Sequence, residues 1–348
     1  MFGSVRFYKL YIILLISFVL CSCGEMRELY SGDIKIASKR YSFVYKGSEV
    51  YIPYEGSSEL PANADTLLIM IHGDSLSAED AFMWGKMLLA SAPNSAGTAV
   101  FAPQFPERRV NSREKNMLFW DRRWRGGGYS LSIGENQNCP EVSSFTLLEL
   151  IIDDFQRKSE GRLKNVIIAG YGSGAQFVAR FAAMNSEEDR QRSAGVRFRY
   201  VAVNSSSYLY LNSERYSVSG GQAAAITDGD TSCMSYNNYK YGLENIYGYG
   251  NRIVKEQIIS NLLRREIIFV AGRQCLSRTL STDTNCGADL QGRNIYERAM
   301  LYRHHLRKVN KAEPKTHTWL IIDNAGDEPE KIFSNPLTQN NVMRGIAQ

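Results

Sequence analysis

The stretch Asn165-Val-Ile-Ile-Ala-Gly-Tyr-Gly-Ser-Gly-Ala-Gln-Phe-Val-Ala-Arg180 joins an apolar run, residues 166–169, to an amphipathic segment through a turn built of small residues. A strand that enters a helix through so tight a bend holds its apical residue on strained, exposed backbone, which is how an acyl-transfer nucleophile is presented. That chemistry needs an oxygen or sulfur at the apex, a base of near-neutral pKa, and a third group that orients the base. The apex falls on Gly172 or on Ser173. Sterics choose between them, because the positions two before and two after a strained apex must be small for strand and helix to approach. Around Gly172 they are Gly170 and Gly174; around Ser173 they are Tyr171 and Ala175, and a tyrosine ring is hard to place in that slot. Gly172 is therefore read as the apex, which leaves no attacking atom. Ser173 becomes the next residue, and its N–H, with the Asp74 position, lines an oxyanion-like site.

An improvised pair is Ser173 with His72, both expected at the carboxyl ends of neighbouring strands, where sites in α/β sheets lie. Against it, a serine at a helix start caps backbone N–H groups, and a histidine in a His-Gly turn serves to shape the loop. His304 and His305 fall within a helix and His317 opens a strand at its far end. Four cysteines lie beyond the N-terminal segment, Cys139, Cys233, Cys275 and Cys286. An even number in an exported chain suggests disulfides, with three possible connectivities. Proximity in sequence favours Cys275 with Cys286, leaving Cys139 with Cys233. Without a CxxC pair or grouped histidines, neither a metal site nor a cofactor is expected.

The elements that must position these residues follow from hydrophobic patterning. Residues 41–46 and 49–54 read as two strands joined by a Gly-Ser turn. Continuous apolar runs at 66–71, 98–102, 166–169, 198–204, 266–271 and 318–323 read as buried strands. Helices are expected over 78–90 and 142–156, the latter with Leu147, Leu148, Ile151, Ile152 and Phe155 on one face. Strands alternating with helices predict an α/β fold with a doubly wound, mostly parallel sheet. Residues 205–265 form an insertion with little hydrophobic periodicity and many tyrosines: Tyr208, Tyr210, Tyr216, Tyr236, Tyr239, Tyr241, Tyr247 and Tyr249.

The chain has 348 residues, 44% of them hydrophobic, enough for one large α/β domain, expected over 41–348. Arg6 and Lys9 precede an apolar run, 10–20, of the length of a signal-peptide core. It ends in Leu20-Cys21-Ser22-Cys23-Gly24, which resembles the lipobox of bacterial lipoproteins. Under that resemblance residues 1–22 are removed, Cys23 is acylated, 23–40 is a tether, and the protein sits on a membrane of the cell envelope. The alternative is an ordinary secretory signal with incidental cysteines. The net charge of +5 falls once Arg6 and Lys9 are lost, too little to argue for a nucleic-acid partner.

Residues 170–180, the His72-Gly73 turn, Ala102-Pro103-Gln104-Phe105-Pro106, Tyr239-Lys240-Tyr241-Gly242-Leu243 and Gln291-Gly292-Arg293 resemble secreted α/β-hydrolases related to polyhydroxyalkanoate depolymerases and esterases, over roughly residues 67–336. The resemblance implies that the family's nucleophilic serine falls on Gly172. It places Cys275 where the acid belongs and Asp327 where the histidine belongs, in Asn324-Ala325-Gly326-Asp327-Glu328. All three positions depart from the pattern, so a catalytically degenerate envelope protein with an unknown ligand or protein partner at its cleft is expected. The alternative is a serine esterase or depolymerase using Ser173 in a shifted elbow. Cys275 could instead be a free thiol, and Asp327 could pair with Arg273 or Arg293 or stay solvated. Finally, the loop Trp120-Asp121-Arg122-Arg123-Trp124-Arg125-Gly126-Gly127-Gly128-Tyr129 could give, with the tyrosine-rich insertion, an aromatic rim for a carbohydrate-bearing or acidic partner. Equally, its aromatics could fill the loop's own core.

Overall fold

Continuous apolar runs become the centre of one sheet. The computed structural model describes residues 34–91, 95–108, 114–226, 232–279 and 282–346, so the expected signal segment 1–22 and Cys23 lie outside the described residues. The strands are β1 (Lys39–Tyr45), β2 (Ser48–Gly56), β3 (Thr66–Ile71), β4 (Thr98–Pro103), β5 (Asn165–Tyr171), β6 (Arg197–Val203), β7 (Tyr216–Ser219), β8 (Gln222–Ala225), β9 (Ile267–Gly272) and β10 (His317–Ile322). Eight form a sheet in the order β1-β2-β4-β3-β5-β6-β9-β10, while β7 and β8 pair as a separate hairpin. From β4 to β10 every pairing is parallel; the β1–β2 hairpin joins antiparallel at one end. All six residues of β3, all seven of β5 and all six of β9 are buried, as parallel strands covered on both faces must be.

The helices are α1 (Ala78–Leu89), α2 (Ser144–Lys158), α3 (Ser173–Met184), α4 (Glu187–Arg192), α5 (Lys255–Arg264), α6 (Cys286–Asp289), α7 (Ile295–Val309), α8 (Pro329–Phe333) and α9 (Pro336–Met343). Ser77 and Ser143 start α1 and α2 by accepting from the N–H groups of Asp80 and Phe145. Successive strand side chains alternate between faces. Leu68, Met70, Ile167, Val201, Val270 and Leu320 pack in one core with Trp84 and Leu88 of α1, Phe333 of α8 and Val342 of α9. On the other face Phe101 meets Phe155 of α2, Phe181 of α3 meets Tyr200, and Phe269 meets Tyr302 of α7. The sheet is thus doubly wound, as the patterning predicted.

The insertion holds more order than its sequence suggested. It contains the β7–β8 hairpin and α5, which buries only Ile258, Asn261 and Leu262, with the Asn261 amide donating to Ala183 O. Tyr208, Tyr210, Tyr216 and Tyr239 are buried, and Tyr208 stacks on Tyr302 of α7. No helix among the described residues is long and apolar enough to cross a membrane.

The cysteine pairing differs from the expected one. Cys233 of the insertion is bonded to Cys286 at the start of α6, whereas Cys139 and Cys275 are free thiols. Separation along the chain misled: Cys275 ends up beside Asn204, and Cys139 beside Asn136, while the fold brings the Cα atoms of Cys233 and Cys286 to 5.7 Å. The closed loop spans 53 residues, and its loss of unfolded-state freedom corresponds to about 4 kcal/mol in the chain-entropy model. Cys286→Ser should therefore lower stability in urea titration by up to that amount, Cys139→Ser should change it little, and peptide mapping of the unreduced protein should recover the 233–286 crosslink. Recovery of 275–286 instead would refute the assignment.

Candidate functional site

Strand β5 lies mid-sheet, between β3 and β6, and delivers the elbow to its carboxyl edge. Gly172 has φ 56° and ψ −108°, a conformation L side chains rarely adopt, and its N–H donates to Val203 O of β6 at 3.0 Å. On either side there is no room. A Cβ at Gly170 would lie 2.5 Å from the Gly174 carbonyl carbon, and one at Gly174 would lie 2.3 Å from Ile71 O. At Gly172 itself, chain neighbours aside, the only atom within 4 Å among the described residues would be Asp74 Oδ2, at 3.9 Å. The bend is therefore shaped to offer a side chain outward, and the residue there has none. Helix α3 begins at Ser173, with all twelve of its residues buried, and the N–H groups of its first turn have no carbonyl partners within the helix.

Facing the elbow is the turn after β3. His72 is wholly buried; its Nε2 accepts the Phe105 N–H at 2.9 Å, so the ring proton is on Nδ1, which donates to Gly73 O at 2.9 Å. Both nitrogens thus hold backbone, and the ring packs against Trp124. Ser173 Oγ is also wholly buried and has no hydrogen-bond partner among the described residues. The fold accordingly does not join Ser173 to His72 in a nucleophile–base hydrogen bond. Asp74 pairs with Arg125 at 2.8 Å, and Arg125 also reaches Glu107 at 3.4 Å, which in turn accepts from the Trp124 indole at 3.0 Å.

The remaining positions meet at the carboxyl ends of β9 and β10. Asn204, in left-handed backbone just after β6, accepts the Gly272 N–H at 2.9 Å and donates to Gly326 O at 2.9 Å and to the Cys275 sulfur at 3.2 Å. One carboxamide therefore ties the turns that follow both strands. Burial pushes the Cys275 thiol up to about 12, with the negative charge of Asp327 adding to the effect, so it stays protonated at neutral pH. Asp327 accepts from the Tyr171 hydroxyl and, at 2.6 Å, from that of Thr279. The expected partners go elsewhere: Arg273 pairs with Asp323 and Arg293 with Glu297.

Above α3 the insertion supplies Lys240, whose amine meets Asp283 at 2.5 Å and Gln176 at 3.1 Å. Burial draws Lys240 down to about 8, partly opposed by Asp283; burial would raise Asp283, yet the ammonium holds it well below the usual carboxylate range. Arg180, buried within α3, donates to Lys240 O at 2.7 Å and so fastens the insertion to the helix. Sequence reasoning gave no role to Asn204 or Asp283; Arg125 entered only within the loop read as a possible rim and Lys240 only within the Tyr-Lys-Tyr run. Nor do the loop tryptophans form a rim: Trp120 and Trp124 are fully buried, and Trp124 stacks on Phe105 at 5.2 Å. No group of three or more His, Cys, Asp or Glu able to hold a metal ion occurs among the described residues.

This arrangement is similar to that of a poly(3-hydroxybutyrate) depolymerase from Bordetella parapertussis, with 12% identity, a TM-score of 0.56, and 89% of this chain and 90% of that chain covered. It is also similar to poly(aspartic acid) hydrolase-1 from Sphingomonas sp. KT-1, with 17% identity, a TM-score of 0.54, and 89% and 100% covered. No family model and no curated protein matches the chain.

The glycine geometry sets an order of tolerance. Gly172→Ala should cost about 1–3 kcal/mol through backbone strain alone. Gly174→Ala should cost more, because its Cβ would collide with the Ile71 and His72 carbonyl oxygens, backbone that cannot yield. Urea titration of the two variants checks this, and the reverse order would move the apex away from Gly172.

Proposed function

We propose that this chain, which has the α/β-hydrolase fold, binds a ligand over its elbow without cleaving it, and does so from a lipid anchor at Cys23 on the bacterial cell envelope. The observation that carries the reading is Gly172: the apex is built with space for a side chain and supplies neither oxygen nor sulfur. The other two positions of a vestigial triad are consistent with it. An aspartate has an intrinsic pKa of about 3.9, too low for a general base at neutral pH, and Asp327 is engaged by two hydroxyls. Cys275 is a buried, protonated thiol. What remains is a floor of first-turn N–H groups edged by the Asp74–Arg125 and Lys240–Asp283 pairs, polar enough to orient a ligand.

Export is supported by the basic residues and apolar run before Cys23 and by the disulfide, a bond that persists in oxidising compartments. Several acyl chains on one cysteine would hold the protein stably, where a single chain gives only marginal binding.

A second reading, hydrolysis through Ser173, is favoured by one feature of the site and one of the comparisons. The Ser173 hydroxyl is buried without a partner, which an ordinary helix-start serine avoids. Both similar structures are named as enzymes that break polymers down.

Incubation of the mature protein with a fluorophosphonate probe and with short-chain nitrophenyl esters separates the two. The binding reading expects no labelled serine and no turnover above buffer; labelling at Ser173, with activity abolished in Ser173→Ala, would establish the hydrolase instead. For the anchor, cells given an alkyne-tagged palmitate should incorporate label into the protein, and Cys23→Ser should lose both the label and the membrane fraction. Unchanged labelling in that variant would place the acylation elsewhere.

A further inference from the structure

A cavity of about 210 Å³ opens between the glycine-rich loop and the 3-10 turn Gly248–Arg252, lined by Arg123, Tyr129, Leu131, Glu141 and Tyr247 together with backbone of Gly128 and Gly248. Its walls are fixed. A Cβ at Gly128 would lie 2.6 Å from that of Arg123, and one at Gly248 would lie 2.3 Å from Gly127 O. The Tyr249 N–H donates to Gly127 O at 2.9 Å, and Tyr129 bridges to Ser143, so loop and turn are bound to each other and to the start of α2. Tyr247 is held edge-on against the buried Tyr239 at 4.9 Å, with the Arg123 guanidinium 6.0 Å from its ring centre. Arg123 is itself oriented by Asp121 at 2.7 Å, and Tyr129 stands 41% exposed.

We propose that this cavity is a carbohydrate subsite that takes one pyranose ring of a polysaccharide or glycan. Two phenol rings give a sugar's C–H face an apolar platform, while a planar guanidinium donor and the Glu141 carboxylate, an acceptor, suit vicinal hydroxyls. Asp121 offsets the Arg123 charge, which favours a neutral sugar over an acidic one. The walls are pre-organised, so ring burial is not spent on ordering loops. No lining residue belongs to the elbow, so the subsite stands whether the chain binds or cleaves a ligand at Gly172.

Affinity electrophoresis of the mature protein through gels containing xylan, glucomannan or hydroxyethylcellulose provides the test, with saturation-transfer NMR against methyl β-glucopyranoside and N-acetylglucosamine as the second readout. Retardation in at least one gel, or saturation transfer to one of the glycosides, is expected. Tyr129→Ala and Glu141→Gln should each weaken it by about five- to tenfold, the scale of one lost stacking or hydrogen-bonding contact. Leu276→Ala, an exposed residue elsewhere, should leave it unchanged, and circular dichroism confirms that each variant is folded. No interaction with any of the five probes would overturn the proposal, as would binding that survives Tyr129→Ala and Glu141→Gln together.

Discussion

Helix α3 crosses the carboxyl ends of β3 and β5 so closely that Gly170 and Gly174 have no space for a Cβ, and the rest of the site is arranged around that contact. It forces Gly172 into its unusual backbone geometry and sets Ser173 deep under the turn. It also buries every residue of α3, so that Arg180, a guanidinium in the middle of the helix, must find its partners in the insertion and in the backbone of Gln176. A packing requirement at two glycines thereby reaches, through one helix, to a segment some sixty residues further along the chain.

The charged groups at this end of the sheet find their hydrogen-bonding or ionic partners locally. Asp74 and Glu107 share Arg125; Asp283 holds Lys240; Asp327 is met by hydroxyls. Removing one member of a buried pair leaves the other uncompensated and typically costs about 3–5 kcal/mol. These groups are thus bound into the architecture, and the single imidazole near the elbow, His72, is spent on two backbone contacts.

Much of this was legible in the amino-acid order. Parallel strands covered on both faces must read as unbroken apolar runs, so β3, β5, β6, β9 and β10 could be placed within a residue or two, and the elbow register followed from where a Cβ fits. Interactions that depend on distant segments left no local trace. The Asn204 clamp joins residues 68 and 122 positions apart, and the Tyr171–Asp327 contact spans 156. The disulfide was misassigned because nearness along the chain is no guide to Cα separation. Helix α5 escaped notice because it buries so few side chains, and Trp120 and Trp124, read as a possible rim, serve as the interior of their own loop.

The insertion is fastened at two nearby points, by the Arg180–Lys240 contact to the floor helix and by the Cys233–Cys286 bond to the start of α6. A covalent bond and a buried guanidinium together keep Lys240 and its Asp283 partner beside that helix.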